Sequence, residues 1–155
     1  MLRLKIQIFL IIIVLFNACS KEKIQETIIK EKSLELQVQE AYNEGMEALE
    51  DGDVLFAAKK FNEAEILFPQ AVSAPQSALM AAYSYYTQDY YGDAIAELER
   101  FIKLYTTHKD LGYAYYLLAI CYYEQIVDEK KDLQSIIKAK ETFNIILKDY
   151  PNTEY

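Results

Sequence analysis

Apolar positions along the chain recur at helical spacing in paired stretches, and Pro75–Thr106 sets the unit. Ala78, Ala82 and Tyr85 recur on one helical face and Ala94, Leu98 and Phe101 on another, with Asp89 and Gly92 marking the turn between. Neither helix can bury its apolar stripe alone, so the pattern predicts a helical hairpin that needs neighbours.

The unit repeats. Val54, Ala57, Phe61 and Ala64 stand 37 positions before Tyr91, Ala94, Leu98 and Phe101. Ala139, Phe143, Ile146 and Pro151 stand 82 after Ala57, Phe61, Ala64 and Pro69, which is two such steps plus eight residues. The polar stretch Val127–Ser135 is the expected place of that insertion. Each copy resembles the tetratricopeptide repeat, a helix-turn-helix of about 34 residues, and the longer spacing predicts longer connections between units. Small residues at Gly45, Ala57, Ala82, Ala94, Ala119 and Ala139 let helix backbones approach, with Tyr or Phe filling the space beside them. The fold class is therefore all-α, a solenoid of about three hairpins over 38–74, 75–111 and 112–155, each stabilised chiefly by its neighbours.

Ahead of the repeats, Arg3 and Lys5 precede the apolar run Ile6–Phe16, which is too short to span a bilayer and has the form of a secretory signal. Ala18-Cys19 after it resembles a bacterial lipoprotein signal, with Phe16 where leucine is usual. That resemblance makes 1–18 the signal and Cys19 the lipidated first residue of the mature chain, with an ordinary cleaved signal as the alternative. Several acyl chains would hold the protein to a membrane firmly, and Ser20 favours the outer membrane by the same resemblance. Residues 19–37 read as a charged tether, mobile to about Leu34. Cys121, in an apolar helical stretch, reads as a small buried hydrophobe, so no disulfide framework is expected.

The chain carries a formal charge of −8, and without Arg3 and Lys5 it keeps 14 basic against 24 acidic residues. Nucleic acid is a poor partner for such a surface. Of 14 tyrosines, eleven lie between Tyr83 and Tyr123. Carrying over tetratricopeptide geometry, in which the first helix of each pair lines the concave side, places Tyr42, Met46 and Leu49 there from the first unit. Leu79, Tyr83 and Tyr86 follow from the second, and Tyr113, Tyr116, Ile120 and Tyr123 from the third. Such a trough offers apolar rings and hydroxyls to an extended peptide; the same tyrosines can instead pack between repeats.

Gly112–Ile126, GYAYYLLAICYYEQI, with Tyr42-Asn43-Glu44-Gly45 and Arg100–Tyr105, resembles the BamD family, formerly called ComL. These are outer-membrane lipoproteins of the β-barrel assembly machinery, and the likeness runs over essentially the whole chain. Thr106–Lys109 replaces a common proline-rich turn. Family members carry about five repeats, whereas Pro151–Tyr155 resembles the exit of a third, so the chain is expected to be an amino-terminal part. The resemblance implies carboxy-terminal repeats that bind a POTRA domain of BamA, company with other assembly lipoproteins, and amino-terminal repeats that receive the carboxy-terminal targeting segment of unfolded outer-membrane clients. It also implies a place on the periplasmic face of the outer membrane.

Catalysis is not expected. His108 is the one histidine and sits in an inter-repeat turn, which leaves no Ser–His or Cys–His arrangement. Asp51-Asp53 and Asp128-Glu129 fall at polar turns, Gly45 and Gly52 form no phosphate loop, and no metal-spaced cluster is present, so neither metal nor cofactor is expected beyond lipid on Cys19. The alternative function is a periplasmic adaptor for cell-wall synthesis or division. A third reading is a scaffold whose concavity is filled by its own chain.

Overall fold

The computed structural model describes residues 32–126 and 133–154; the leader, Cys19 and most of the charged tether lie outside them, as does most of the expected insertion. Among the described residues there are six helices and no strand: α1 (Leu34–Glu50), α2 (Val54–Leu67), α3 (Ala74–Tyr86), α4 (Tyr91–Leu104), α5 (Leu111–Glu124) and α6 (Leu133–Asp149). Each makes its extensive contacts with its neighbours in sequence, the signature of a solenoid of hairpins. No described helix is long and apolar enough to cross a membrane.

Local chemistry sets the ends of these helices. The Leu36 amide donates to Ser33 Oγ at 3.3 Å and the Phe56 amide to Asp53 Oδ1 at 3.1 Å, so both helices of the first hairpin start on a side-chain cap. Pro75 sits in the first turn of α3, where its missing N–H costs nothing. The first unit begins at Leu34, four residues ahead of the expected boundary at 38, because Ser33 caps the helix there.

The reversals inside the first two hairpins use one device. Asp53 N–H donates to Ala48 O at 2.8 Å and Gly52 N–H to Leu49 O at 3.2 Å, with Gly52 at φ 81°. Tyr90 N–H donates to Tyr85 O at 3.1 Å and Asp89 N–H to Tyr86 O at 3.2 Å, with Asp89 at φ 64°. This pair of bonds closes a helix through one left-handed residue. Asp89 tolerates that conformation because its side chain is short and polar, and its Oδ1 accepts from Tyr91 hydroxyl at 2.6 Å. Gly92, expected in the turn, is instead in the first turn of α4; the left-handed residue is the aspartate three positions earlier. Gln88 Nε2 donates to Gly52 O at 2.8 Å, tying the two reversals together.

The repeated stripe is the core. Ala57, Phe61, Ala64, Ala94, Leu98 and Phe101 are fully buried, and Ala139 and Ile146 nearly so. α3 and α5 are sandwiched between helices before and after them, so they bury small residues on nearly every side: Ala74, Ser77, Ala78, Ala81, Ala82 and Ser84 in α3. Ser84 Oγ donates to Met80 O at 2.8 Å, which satisfies a hydroxyl that has no access to water. Of the expected insertion Val127–Ser135, Leu133–Ser135 belong to α6 and the rest lies outside the described residues.

α2 and α4 come together through long polar side chains. Glu65, 5% exposed, accepts both fork nitrogens of Arg100 at 2.8 and 2.7 Å and the Tyr105 hydroxyl at 2.5 Å. Asn62 donates to Glu97 at 2.9 Å, and Glu97 accepts from Arg100 Nε at 2.9 Å. Hydrogen bonding to Glu65, ahead of the opposing effect of burial, raises the Arg100 guanidinium pKa. Arg100 itself is partly exposed, so the pair is worth less than a fully buried one, yet a lone buried Glu65 is costly.

Two stability predictions follow from this geometry. A Cβ on Gly45 would meet the fully buried Phe61 ring at 2.9 Å. Gly45→Ala should therefore lower stability by about 1–2 kcal/mol despite alanine's better helix propensity, and stabilise in a Phe61→Leu background; urea midpoints by circular dichroism report both. Arg100→Met should cost about 2–3 kcal/mol, whereas adding Glu65→Leu should recover most of it. Equal loss in the single and double variants would contradict the role given to this bridge.

Candidate functional site

The first helices of the hairpins carry nine of the 14 tyrosines and help to line each of the clefts described below. Between α3 and α5 a cleft of about 390 Å³ has an apolar floor of Leu79, Met80, Tyr83 and Tyr113, with Gln76 and Asp110 at its edges. A second cleft, about 630 Å³, runs along α1, the connection from Phe68 to Ser73 and the start of α3, lined by Val38, Tyr42, Phe68, Val72 and Ser77 with Glu35 at its rim. A third, about 460 Å³, lies at the end of α5 between Tyr123, Glu124, Ile126 and Ile136 of α6.

The residues expected to form one trough are divided among these clefts and the core. Tyr83 and Tyr113 come together in the α3–α5 cleft, over Leu79, which is only 4% exposed and serves as floor. Tyr86 lies 6.3 Å from Tyr83 and Tyr116 lies 6.4 Å from Tyr113, ring centre to ring centre, extending the aromatic surface on both helices. Tyr42 packs edge-on against Phe61 at 5.2 Å and also faces the largest cleft. Met46 and Leu49 are half-buried against Ala48, Ala57, Ala58, Phe61 and Ala81. Ile120 is half-buried on α5, and Tyr123, 58% exposed, belongs to the cleft at α6.

Burial first, and then the neighbouring Cys121 and Tyr116, raises the Tyr86 phenol pKa. Its hydroxyl therefore stays protonated and able both to donate and to accept. Residues that sequence reasoning missed are Val38, Phe68, Val72, Gln76 and Met80. Val72, 98% exposed, was the available signal: a bare valine in a connection between amphipathic helices. The connections between hairpins, Phe68–Ser73 and Tyr105–Asp110, are longer than the turns within the first two, and Phe68–Ser73 builds a wall of the cleft along α1.

His108 stands edge-on to Phe101 at 5.8 Å, and its Nδ1 lies 3.7 Å from Asp110 Oδ2, beyond hydrogen-bond length. No group of three or more His, Cys, Asp or Glu among the described residues could hold a metal. Burial pushes the Cys121 thiol from 9.0 up to about 12. Raising a thiol pKa favours the neutral form, so the stability this burial contributes is intact below pH 9 and lost as pH climbs toward 12. At pH 8 Cys121 should be silent to a thiol reagent in the folded chain and react at once in denaturant; fast reaction in the native state would show that this helix opens locally.

The chain matches, over residues 34–155, the family described as "Outer membrane lipoprotein" (YfiO). It is 34% identical over 139 residues to the outer membrane protein assembly factor BamD of Caulobacter vibrioides, covering 90% of this chain and 44% of that protein. The protein of the same name from Rickettsia prowazekii is 35% identical over 114 residues, covering 74% and 45% respectively. That of Neisseria meningitidis serogroup A is 26% identical over 151 residues, covering 90% and 55%. The chain thus spans about half the length of the curated relatives it matches. With a family match over most of its length and a repeated hairpin fold beneath it, this chain belongs to the BamD (YfiO) family of outer membrane lipoproteins.

Proposed function

We propose that this chain serves outer-membrane protein assembly by holding unfolded client segments in extended form on its first-helix face. The observation that carries the reading is the α3–α5 cleft. Leu79, Met80, Tyr83 and Tyr113 offer an apolar floor with phenol hydroxyls beside it, which suits aromatic side chains and a backbone in need of hydrogen bonds. The names of the relatives, outer membrane protein assembly factors, supply the biological setting. No covalent step is involved: binding raises the local concentration of client near the insertion machinery.

In this reading Cys19 carries the lipid that anchors the chain to the periplasmic face of the outer membrane. Partners are a POTRA domain of BamA, other assembly lipoproteins and the carboxy-terminal targeting segments of clients. Tyr86 and Tyr116 extend the contact surface beyond the cleft, while Tyr42 and Tyr123 give separate contact points along the same extended segment.

Photoreactive residues placed at Tyr83 and Tyr113 in cells should capture outer-membrane barrel precursors through their carboxy-terminal segments. In purified form, Tyr83→Ala with Tyr113→Ala should weaken binding of an aromatic-ended client peptide by roughly tenfold or more, about the cost of two ring contacts. Capture of cell-wall or division proteins in place of precursors would move the assignment to an adaptor role.

A further inference from the structure

The residues lining the clefts share a charge sign. The α3–α5 cleft has Asp110 at its edge, the largest of the three has Glu35, and the one at α6 has Glu124; among the described residues no lysine or arginine lines any of them. A smaller cleft at the α1–α2 reversal is lined by Glu44, Glu47, Asp51 and Asp53 beside Phe56. The whole chain adds a net charge of −8 to this field. Asp110 caps α5 without a side-chain hydrogen bond; among the described residues its carboxylate's ionic neighbour is His108 Nδ1, 3.7 Å away, which accepts from the Asp110 amide at 3.3 Å. The carboxylate stands at the edge of an apolar floor with capacity to accept a donor.

We propose that these clefts select segments in which basic residues interleave with aromatic ones, and reject segments carrying acidic residues at the same places. The inference rests on the cleft reading above and names its ligand class. An aromatic side chain takes the floor of Leu79, Met80, Tyr83 and Tyr113. The neighbouring lysine or arginine lays its aliphatic stem over the tyrosine rings and brings its charge to Asp110, combining cation–π attraction with an ion pair. A further basic residue meets Glu35 in the larger cleft in the same way. A glutamate at either place meets a carboxylate, and like charges repel, more strongly beside half-buried Asp110 than beside exposed Glu35. Selectivity then comes from rejection as much as from attraction.

The test uses the full purified chain and three labelled peptides of equal length, each with alternating aromatic residues interleaved with lysine, serine or glutamate. At about 20 mM salt the lysine peptide should bind roughly fivefold or more tightly than the glutamate peptide, with serine between them, and at about 500 mM the order should narrow to within about twofold. Asp110→Asn with Glu35→Gln should cut the lysine-over-glutamate preference at low salt by roughly half or more, and should change the lysine and glutamate peptides in opposite directions and more than the serine peptide; circular dichroism checks that the variant is folded. A glutamate peptide that binds as tightly as the lysine one, or a preference that is undiminished in the variant, overturns the proposal while leaving the cleft reading in place. Failure of all three peptides to bind removes the cleft reading itself, and this inference with it.

Discussion

Phe61 fills the space that Gly45 leaves, and the rest of the solenoid depends on closures of this kind. A hairpin of two amphipathic helices has too little apolar surface to hold itself together. It becomes stable when the next hairpin comes close enough to bury both, which requires a small residue on one side of each contact and a large one on the other. The same rule holds inside the hairpins, where a Cβ on Gly45 would meet Phe61 and one on Gly112 would meet Tyr150, each at 2.9 Å; the fully buried alanines around Leu98 and Phe101 continue the close approach along the chain.

That close approach shapes the surface as well as the interior. Because α3 buries small residues on nearly every side and α5 buries small residues together with Leu117, Leu118 and Tyr122, most of their other tyrosines are half-buried at the boundary, with Tyr83 and Tyr113 facing a cleft. On the second helices the corresponding link is polar, with Arg100 reaching Glu65 and the Tyr105 hydroxyl. One set of helices therefore carries a locked ionic bridge and the other an aromatic floor between hairpins. The bridge limits how far α2 and α4 can separate, and the width of the clefts on the other helices follows from the same stacking.

The repeat was legible in the sequence because stacking imposes the same small and large residues at each second-helix stripe, and Ala57, Phe61 and Ala64 map onto Ala94, Leu98 and Phe101 without a gap. The turn was half legible. Gly52 and Asp89 stand at the same 37-residue spacing and both hold positive φ, but aspartate in that role is rarer than glycine, which drew attention to Gly92. The bridge from Glu65 to Arg100 was hidden, since long side chains join residues 35 apart, outside the register of the stripe. The candidate trough was legible as a set of tyrosines on first helices. Its division into separate clefts depends on where Phe68–Ser73 lies against α1, which no periodicity encodes.

Met80 lines the α3–α5 cleft, while Met46 is packed within the first hairpin, and the chain has only one other methionine, Met1. Methyl-labelled methionine therefore reports directly on where a client segment lies. Adding an aromatic-ended peptide from an outer-membrane barrel protein should shift the Met80 methyl resonance progressively and leave Met46 nearly unmoved. A bound peptide that leaves Met80 unshifted would place the contact elsewhere and contradict the account of this cleft as the receiving site.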